Sequence, residues 1–245
     1  MPVEDESVLS RAAPPPDRRI DYGAHRDQHA LLWQGAAGAA ERPLLLLLHG
    51  GFWRPAYDLT HMNPMAAALA ASGFTVANVE YRRIPGDPQT MLSDAREALA
   101  TLPARIDAHA GQTVLVGFSA GGHLALLLAA TSPPPQAVLA LAPVASLQRA
   151  LQLRLSQDAV GAFLGAAASL ASWDPAQLPA GAAPVSIVHG AVDDTVPLEL
   201  SQRYVARHRS ARLTVLPATA HFALIDPLGA AWPQVLAAVQ RSCHS

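Results

Sequence analysis

The order of apolar runs and turn signals predicts an α/β fold, with a mostly parallel central sheet flanked by helices. Three observations carry that expectation. Five leucines in an unbroken run, Leu44–Leu48, follow Pro43 and end in His49-Gly50-Gly51. Such a run fits a central parallel strand buried on both faces. Short apolar runs then alternate with longer helix-forming stretches along most of the chain, as in a parallel sheet with crossover helices. Finally, the 245 residues contain no Pro/Gly/Ser-rich linker, and 51% are hydrophobic, which is enough for one large domain.

In chain order, residues 1–20 carry an acidic start and the Pro14-Pro15-Pro16 run with little periodicity. They are expected to form a flexible tail or extended arm. Residues 21–245 then form the folded domain. Residues 29–34 give the first strand candidate and Leu44–Leu48 the next. Pro64 suits the first turn of a helix over 64–72, with Gly73 as its stop signal. Strands are expected at 74–81, 113–116, 137–141, 184–188 and 213–216, and helices at 88–109, 120–131, 198–207 and 230–241. Residues 144–182 break this rhythm. They are apolar (Leu147, Leu151, Leu153, Leu155, Phe163, Leu164) and read as an inserted helical lid.

Composition narrows the function classes. The formal net charge is -2, and the 17 Lys and Arg residues form no basic stripe, so neither nucleic acid nor an acidic membrane is an expected partner. Cys243 is the only cysteine, which excludes an internal disulfide and a cysteine-ligated zinc site. No basic-then-apolar leader and no apolar stretch of the roughly 20 residues a membrane helix needs are visible. A cytoplasmic protein is the expectation.

The chemistry centres on Gly117-Phe118-Ser119-Ala120-Gly121, a G-x-S-x-G pattern entered by a strand and left by a helix. That turn projects a serine hydroxyl above a sheet, with small neighbours to allow close packing. A serine hydroxyl needs a base. Among the ten histidines, His221 follows the last strand candidate and completes the order Ser…Asp…His. His49 and His189 stand before glycines at strand ends, and His123 lies on the helix after the serine. Asp193 and Asp194 both follow the penultimate strand. Asp193 is the expected acid, because Asp194 could then cap the helix starting near Pro197. Donors for an oxyanion are expected from the turn at Gly50, Gly51 and Phe52, joined by the N–H of Ala120.

With these blocks in place, the sequence resembles the esterase/lipase branch of the α/β-hydrolase superfamily. Small bacterial carboxylesterases and kynurenine formamidase-like enzymes are the most similar kinds. The resemblance spans residues 22–232 and rests on His49-Gly50-Gly51-Phe52-Trp53-Arg54, Glu80-Tyr81-Arg82-Arg83, the serine turn, and Asp193-Asp194-Thr195-Val196-Pro197 with His221-Phe222. It implies a metal-free, cofactor-free hydrolase with a triad of Ser119, Asp193 and His221. It also implies that Glu80 and Arg82 hold the loops around the site. A carboxylesterase for small apolar acyl esters is the leading expectation, with the lid leucines forming the acyl pocket. A formamidase acting on an amide is the alternative. A small peptidase and a non-catalytic binding protein are further readings.

Overall fold

The computed structural model describes residues 4–36, 38–166 and 168–244. Among these, the strands are β1 (Arg18–Asp21), β2 (His29–Trp33), β3 (Leu44–Leu48), β4 (Val76–Val79), β5 (Thr113–Phe118), β6 (Ala137–Leu141), β7 (Val185–Gly190) and β8 (Arg212–Leu216). The helices are α1 (Asn63–Ala71), α2 (Pro88–Thr101), α3 (Ala120–Leu128), α4 (Leu147–Gln152), α5 (Leu155–Leu164), α6 (Leu170–Trp173), α7 (Glu199–Arg207) and α8 (Trp232–Ser242). One sheet runs β1-β2-β4-β3-β5-β6-β7-β8. The two pairings that involve β2 are antiparallel, and β4 through β8 pair in parallel.

Alternation along the central strands divides the core in two. Leu44, Leu46 and Leu48 point to the side covered by α2, α3 and α7. Leu45 and Leu47 point to the side of α1 and α8. All five are buried, so the leucine run is what a strand covered on both faces requires. The register places Leu48 beside both Val79 and Gly117, and Phe118 beside Leu141. The carboxyl ends of the strands therefore open at one level. In open α/β sheets, ligands bind along that edge.

Several expectations are corrected. β1 was not foreseen, because Arg-Arg-Ile-Asp offers little apolar alternation and lies mostly exposed at the sheet edge. The helix expected over 88–109 stops at Thr101, since Pro103 cannot continue it and starts a 3₁₀ turn instead. The insertion at 144–182 folds as the three short helices α4, α5 and α6.

The expected flexible tail lies outside the described residues for 1–3. From residue 4 onward it is an arm packed on the domain. A 3₁₀ turn at Ser7–Ser10 buries Val8, Trp33 Nε1 donates to Pro14 O at 3.0 Å, and Asp17 N donates to Leu32 O at 2.8 Å. Its polar groups thus find partners that local sequence could not reveal. No helix among the described residues is long and apolar enough to cross a membrane.

Candidate active site

Ser119 sits between β5 and α3 with φ 55° and ψ -116°. A non-glycine residue in that region is strained by about 1–3 kcal/mol and needs its surroundings to hold it. Its N–H donates to Leu141 O at 2.9 Å, and its carbonyl accepts from His123 N at 3.1 Å and Val144 N at 3.3 Å. The glycines explain how the turn closes. A Cβ on Gly121 would collide with the carbonyl oxygens of Leu48 and His49, and one on Gly117 with Gly121 O. One on Gly50 would lie 3.0 Å from Ser119 Cβ. Ser119 is only 2% exposed, at the amino end of α3, whose N–H groups favour negative charge.

The loops after β7 and β8 bring Asp193 and His221 together. His221 Nδ1 lies 2.7 Å from Asp193 Oδ2, so the ring donates there and keeps Nε2 for a base's work. Asp193 Oδ1 accepts from Thr195 N at 3.0 Å and Val196 N at 2.7 Å. Burial raises the pKa of this carboxyl, but contacts from His189 and His221 and the Val196 N–H outweigh it and bring it to about 2. Asp193 is therefore an anion at neutral pH. Gly190 lets the two loops meet, since a Cβ there would collide with Thr219 O.

Asp194 is exposed, and α7 has Leu198 at its amino cap with no side-chain cap bond. The capping role expected for Asp194 is corrected: the helix starts later than the sequence suggested. Asp193 faces the histidine because its other oxygen is tied into the turn.

Ser119, His221, Gly51 and Phe52 line one cavity of about 220 Å³, with Phe118, Phe222, Leu9, Tyr57 and His61 among the other walls. Gly51 (φ 110°), Phe52 (φ 49°) and Trp53 (φ 60°) are three successive residues with positive φ, which curls the turn after β3 around the cavity. Gly50 is buried beside Ser119. Ala120, also buried, opens α3, where a helix N–H has no partner within the helix.

Behind this turn lies a buried polar cluster. His49 Nδ1 is 2.8 Å from Gly50 O, and its Nε2 is 3.1 Å from Glu80 Oε1. The His49 ring stacks on Tyr81 with centroids 4.3 Å apart, and the Tyr81 hydroxyl donates to His49 O at 2.7 Å. Leu59 N and Tyr81 N donate to the Glu80 carboxylate. Arg83, rather than Arg82, pairs with Glu80, while Arg82 forks onto Asp94 at 2.6 and 2.8 Å. The role implied for Arg82 thus passes to its neighbour. Burial raises the Glu80 pKa, but the His49 and Arg83 contacts bring it to about 2.

The remaining histidines are structural neighbours. Burial pushes His123 down to about 4, and its Nε2 lies 2.8 Å from Trp173 O. His189 is buried, with Nδ1 2.7 Å from the Ser201 hydroxyl and Nε2 2.8 Å from Val196 O. His61 lines the cavity, and burial takes it to about 3.

The lid leucines do not form the pocket. Leu147 and Phe163 are buried in the core, Phe163 stacks on Trp53 with centroids 4.4 Å apart, and the insertion contributes Ser156 to the cavity. Phe163 and Trp173 instead close around His123 of α3. Sequence reasoning also missed Glu6 and Leu9, which line the cavity from the arm. Their distance along the chain from Ser119 left no local signal. Among the described residues, no group of three or more His, Cys, Asp or Glu is placed to hold a metal ion.

An eight-stranded, mostly parallel sheet with a serine turn and an Asp–His pair at its carboxyl edge defines the α/β-hydrolase fold, and this chain has it. Within that fold it resembles the esterase/lipase branch. The BD-FAE family matches residues 32–136. Esterase LipC of Mycobacterium tuberculosis is 30% identical over 125 residues, which span 49% of this chain and 31% of LipC. Kynurenine formamidase of Danio rerio is 26% identical over 113 residues, 46% of this chain and 38% of that protein. The chain thus matches about a third of the length of these relatives. The solved structure of esterase B from Lactobacillus rhamnosis, with a tributyrin phosphonate, superposes with a TM-score of 0.81. It is 18% identical, covering 98% of this chain and 89% of that one.

Proposed function

We propose that the chain is a serine carboxylesterase for small, apolar acyl esters. The observation that carries this reading is the meeting of Ser119, held in a strained turn, with the His221–Asp193 pair in one small cavity. Ser119 Oγ attacks the ester carbonyl carbon while His221 Nε2 takes its proton. The tetrahedral oxyanion accepts from backbone N–H groups of Gly51, Phe52 and Ala120, with Gly50 giving the turn its room. Asp193, anionic and fixed by two backbone donors, holds the ring and stabilises the imidazolium. The ring then protonates the departing alcohol, and water releases the acyl group by the same steps. No metal or cofactor enters this scheme.

A cavity of about 220 Å³ is smaller than the ~300–1,000 Å³ of common ligand sites, and Phe52, Phe118, Phe222 and Leu9 make much of it apolar. Short acyl groups suit it. A second reading, hydrolysis of an N-formyl aryl amide, draws support from Glu6 and Arg54, which put opposite charges on the same cavity. Such a pair suits an amino-acid substrate, and similarity to a formamidase points the same way.

One panel separates the two. Purified protein and its Ser119→Ala variant are assayed on aryl esters from acetyl to octanoyl and on N-formyl aryl amides. The expected result is kcat/KM rising from acetyl to butyryl and then falling, with about a 10⁴-fold loss or more in the variant. Rapid turnover of N-formyl amides with inert butyryl esters overturns the esterase reading in favour of the second. Full activity in Ser119→Ala overturns both.

A further inference from the structure

We propose that residues 4–11 are a fixed wall of the substrate cavity, and that Leu9 sets the size of the acyl group it admits. The inference rests on the reading of Ser119 as nucleophile and adds to it a determinant of specificity.

Leu9 and Glu6 line the same cavity as Ser119 and His221. Their position is held from both sides. Upstream, Glu4 Oε1 accepts from Phe222 N at 2.7 Å. Downstream, Arg11 Nη2 donates to Asp226 Oδ2 at 3.0 Å and to Ser7 Oγ at 3.1 Å. Between them Val8, only 1% exposed, joins the core on the α1 and α8 side with Met62 and Met65. Val8 is withdrawn from water almost completely, and release of apolar surface from water favours that position, so Val8 anchors the arm and the two polar contacts fix its direction.

Both polar anchors land on residues 222–226, directly after His221. The arm therefore lies across the loop that carries the base, and Leu9 cannot leave the cavity without breaking contacts on either side. Leu9 itself is only half-buried and lines the cavity, so its side chain is not enclosed by the core and can meet a bound acyl chain. The insertion at 144–182 supplies Ser156 alone to the cavity, whereas Leu9 of the arm joins Phe52, Phe118 and Phe222 in its apolar lining.

The test uses the full chain with Leu9→Ala and Leu9→Trp. For each, the fold is checked by thermal melting and active sites are counted by phosphonate labelling of Ser119. The readout is the ratio of kcat/KM for hexanoyl over acetyl aryl esters. Truncating Leu9 makes room for about two methylenes, each worth roughly fourfold, so the ratio should rise about fifteenfold. Leu9→Trp should lower it below that of the unaltered chain. A ratio unchanged in both folded, fully labelled variants overturns the proposal while leaving the esterase reading standing. Absence of phosphonate on Ser119 in the unaltered chain overturns the esterase reading, and this inference with it.

Discussion

The two oxygens of Asp193 face different partners: Oδ1 accepts from the N–H groups of Thr195 and Val196, and Oδ2 lies 2.7 Å from His221 Nδ1 and 3.4 Å from His189 Nε2. That division separates it from Asp194, whose exposed side chain faces away. Asp193→Asn should cut turnover by several orders of magnitude, because an amide cannot hold the imidazole in the productive tautomer. Asp194→Asn should change turnover by less than about twofold and stability by less than about 0.5 kcal/mol, as for other surface positions. Steady-state assays and urea unfolding of both variants decide the matter, and the reverse ranking would transfer the acid's role to Asp194. Legibility at this scale follows the same physics. Ser119 was readable because its turn is encoded within five residues. His221 was readable from chain order. The choice between neighbouring aspartates depended on direction, set by a histidine 28 residues away, and the capping argument used for it fails. Glu6 and Leu9 were invisible, since only the folded chain brings them to the cavity.

Among the elements, the leucines of β3 and the glycines around Ser119 carried the clearest sequence signals, because both report crowding. β3 is covered on both faces, and α3 crosses it at a distance that only glycine permits. The weakest signals came from β1, mostly exposed at the sheet edge, and from α4 to α6, whose apolar faces fit a buried cover as well as a pocket wall. The α3–β3 crossing gives a sharp expectation. Alanine is the better helix former than glycine, so Gly121→Ala in the first turn of α3 would not weaken the helix if space allowed. The new Cβ meets the carbonyl oxygens of Leu48 and His49, which are backbone and cannot rotate away. Overpacking of this kind costs about 1–3 kcal/mol or more. Gly121→Ala should therefore lower the urea midpoint, and turnover should fall with it, because His49 leads directly into the turn at Gly50 and Gly51. A variant as stable as the unaltered chain would mean that the crossing is looser than described.

For the molecule as a whole, four ionisable groups around the site, His61, His123, Glu80 and Asp193, act on stability in one direction. Burial holds His61 near 3 and His123 near 4, against an ordinary 6.5. As pH falls below about 6.5, the unfolded chain protonates both while the folded chain does not, and stability drops. Glu80 and Asp193 have burial working against ionisation, yet their hydrogen-bonded partners bring both to about 2, from ordinary values of 4.5 and 3.8. Their contribution is complete above those ordinary values and is lost as pH falls towards 2. For each of these four groups the unfolded chain binds more protons, so their contribution to stability rises with pH up to neutrality. Each shift is worth on the order of 3 kcal/mol at 1.36 kcal/mol per pH unit, and a domain's total is only about 5–15 kcal/mol. The chain should therefore weaken between pH 6.5 and 4, through its neutral histidines, and unfold near pH 3 as the carboxylates follow. Urea midpoints at pH 7, 5.5 and 4.5 should fall stepwise. In His123→Leu, which removes one buried histidine, the loss of stability between pH 7 and 4.5 should shrink by about 2 kcal/mol. An equal loss in both proteins would show that His123 takes up its proton alike in the folded and unfolded chain, and would remove it from the acid response.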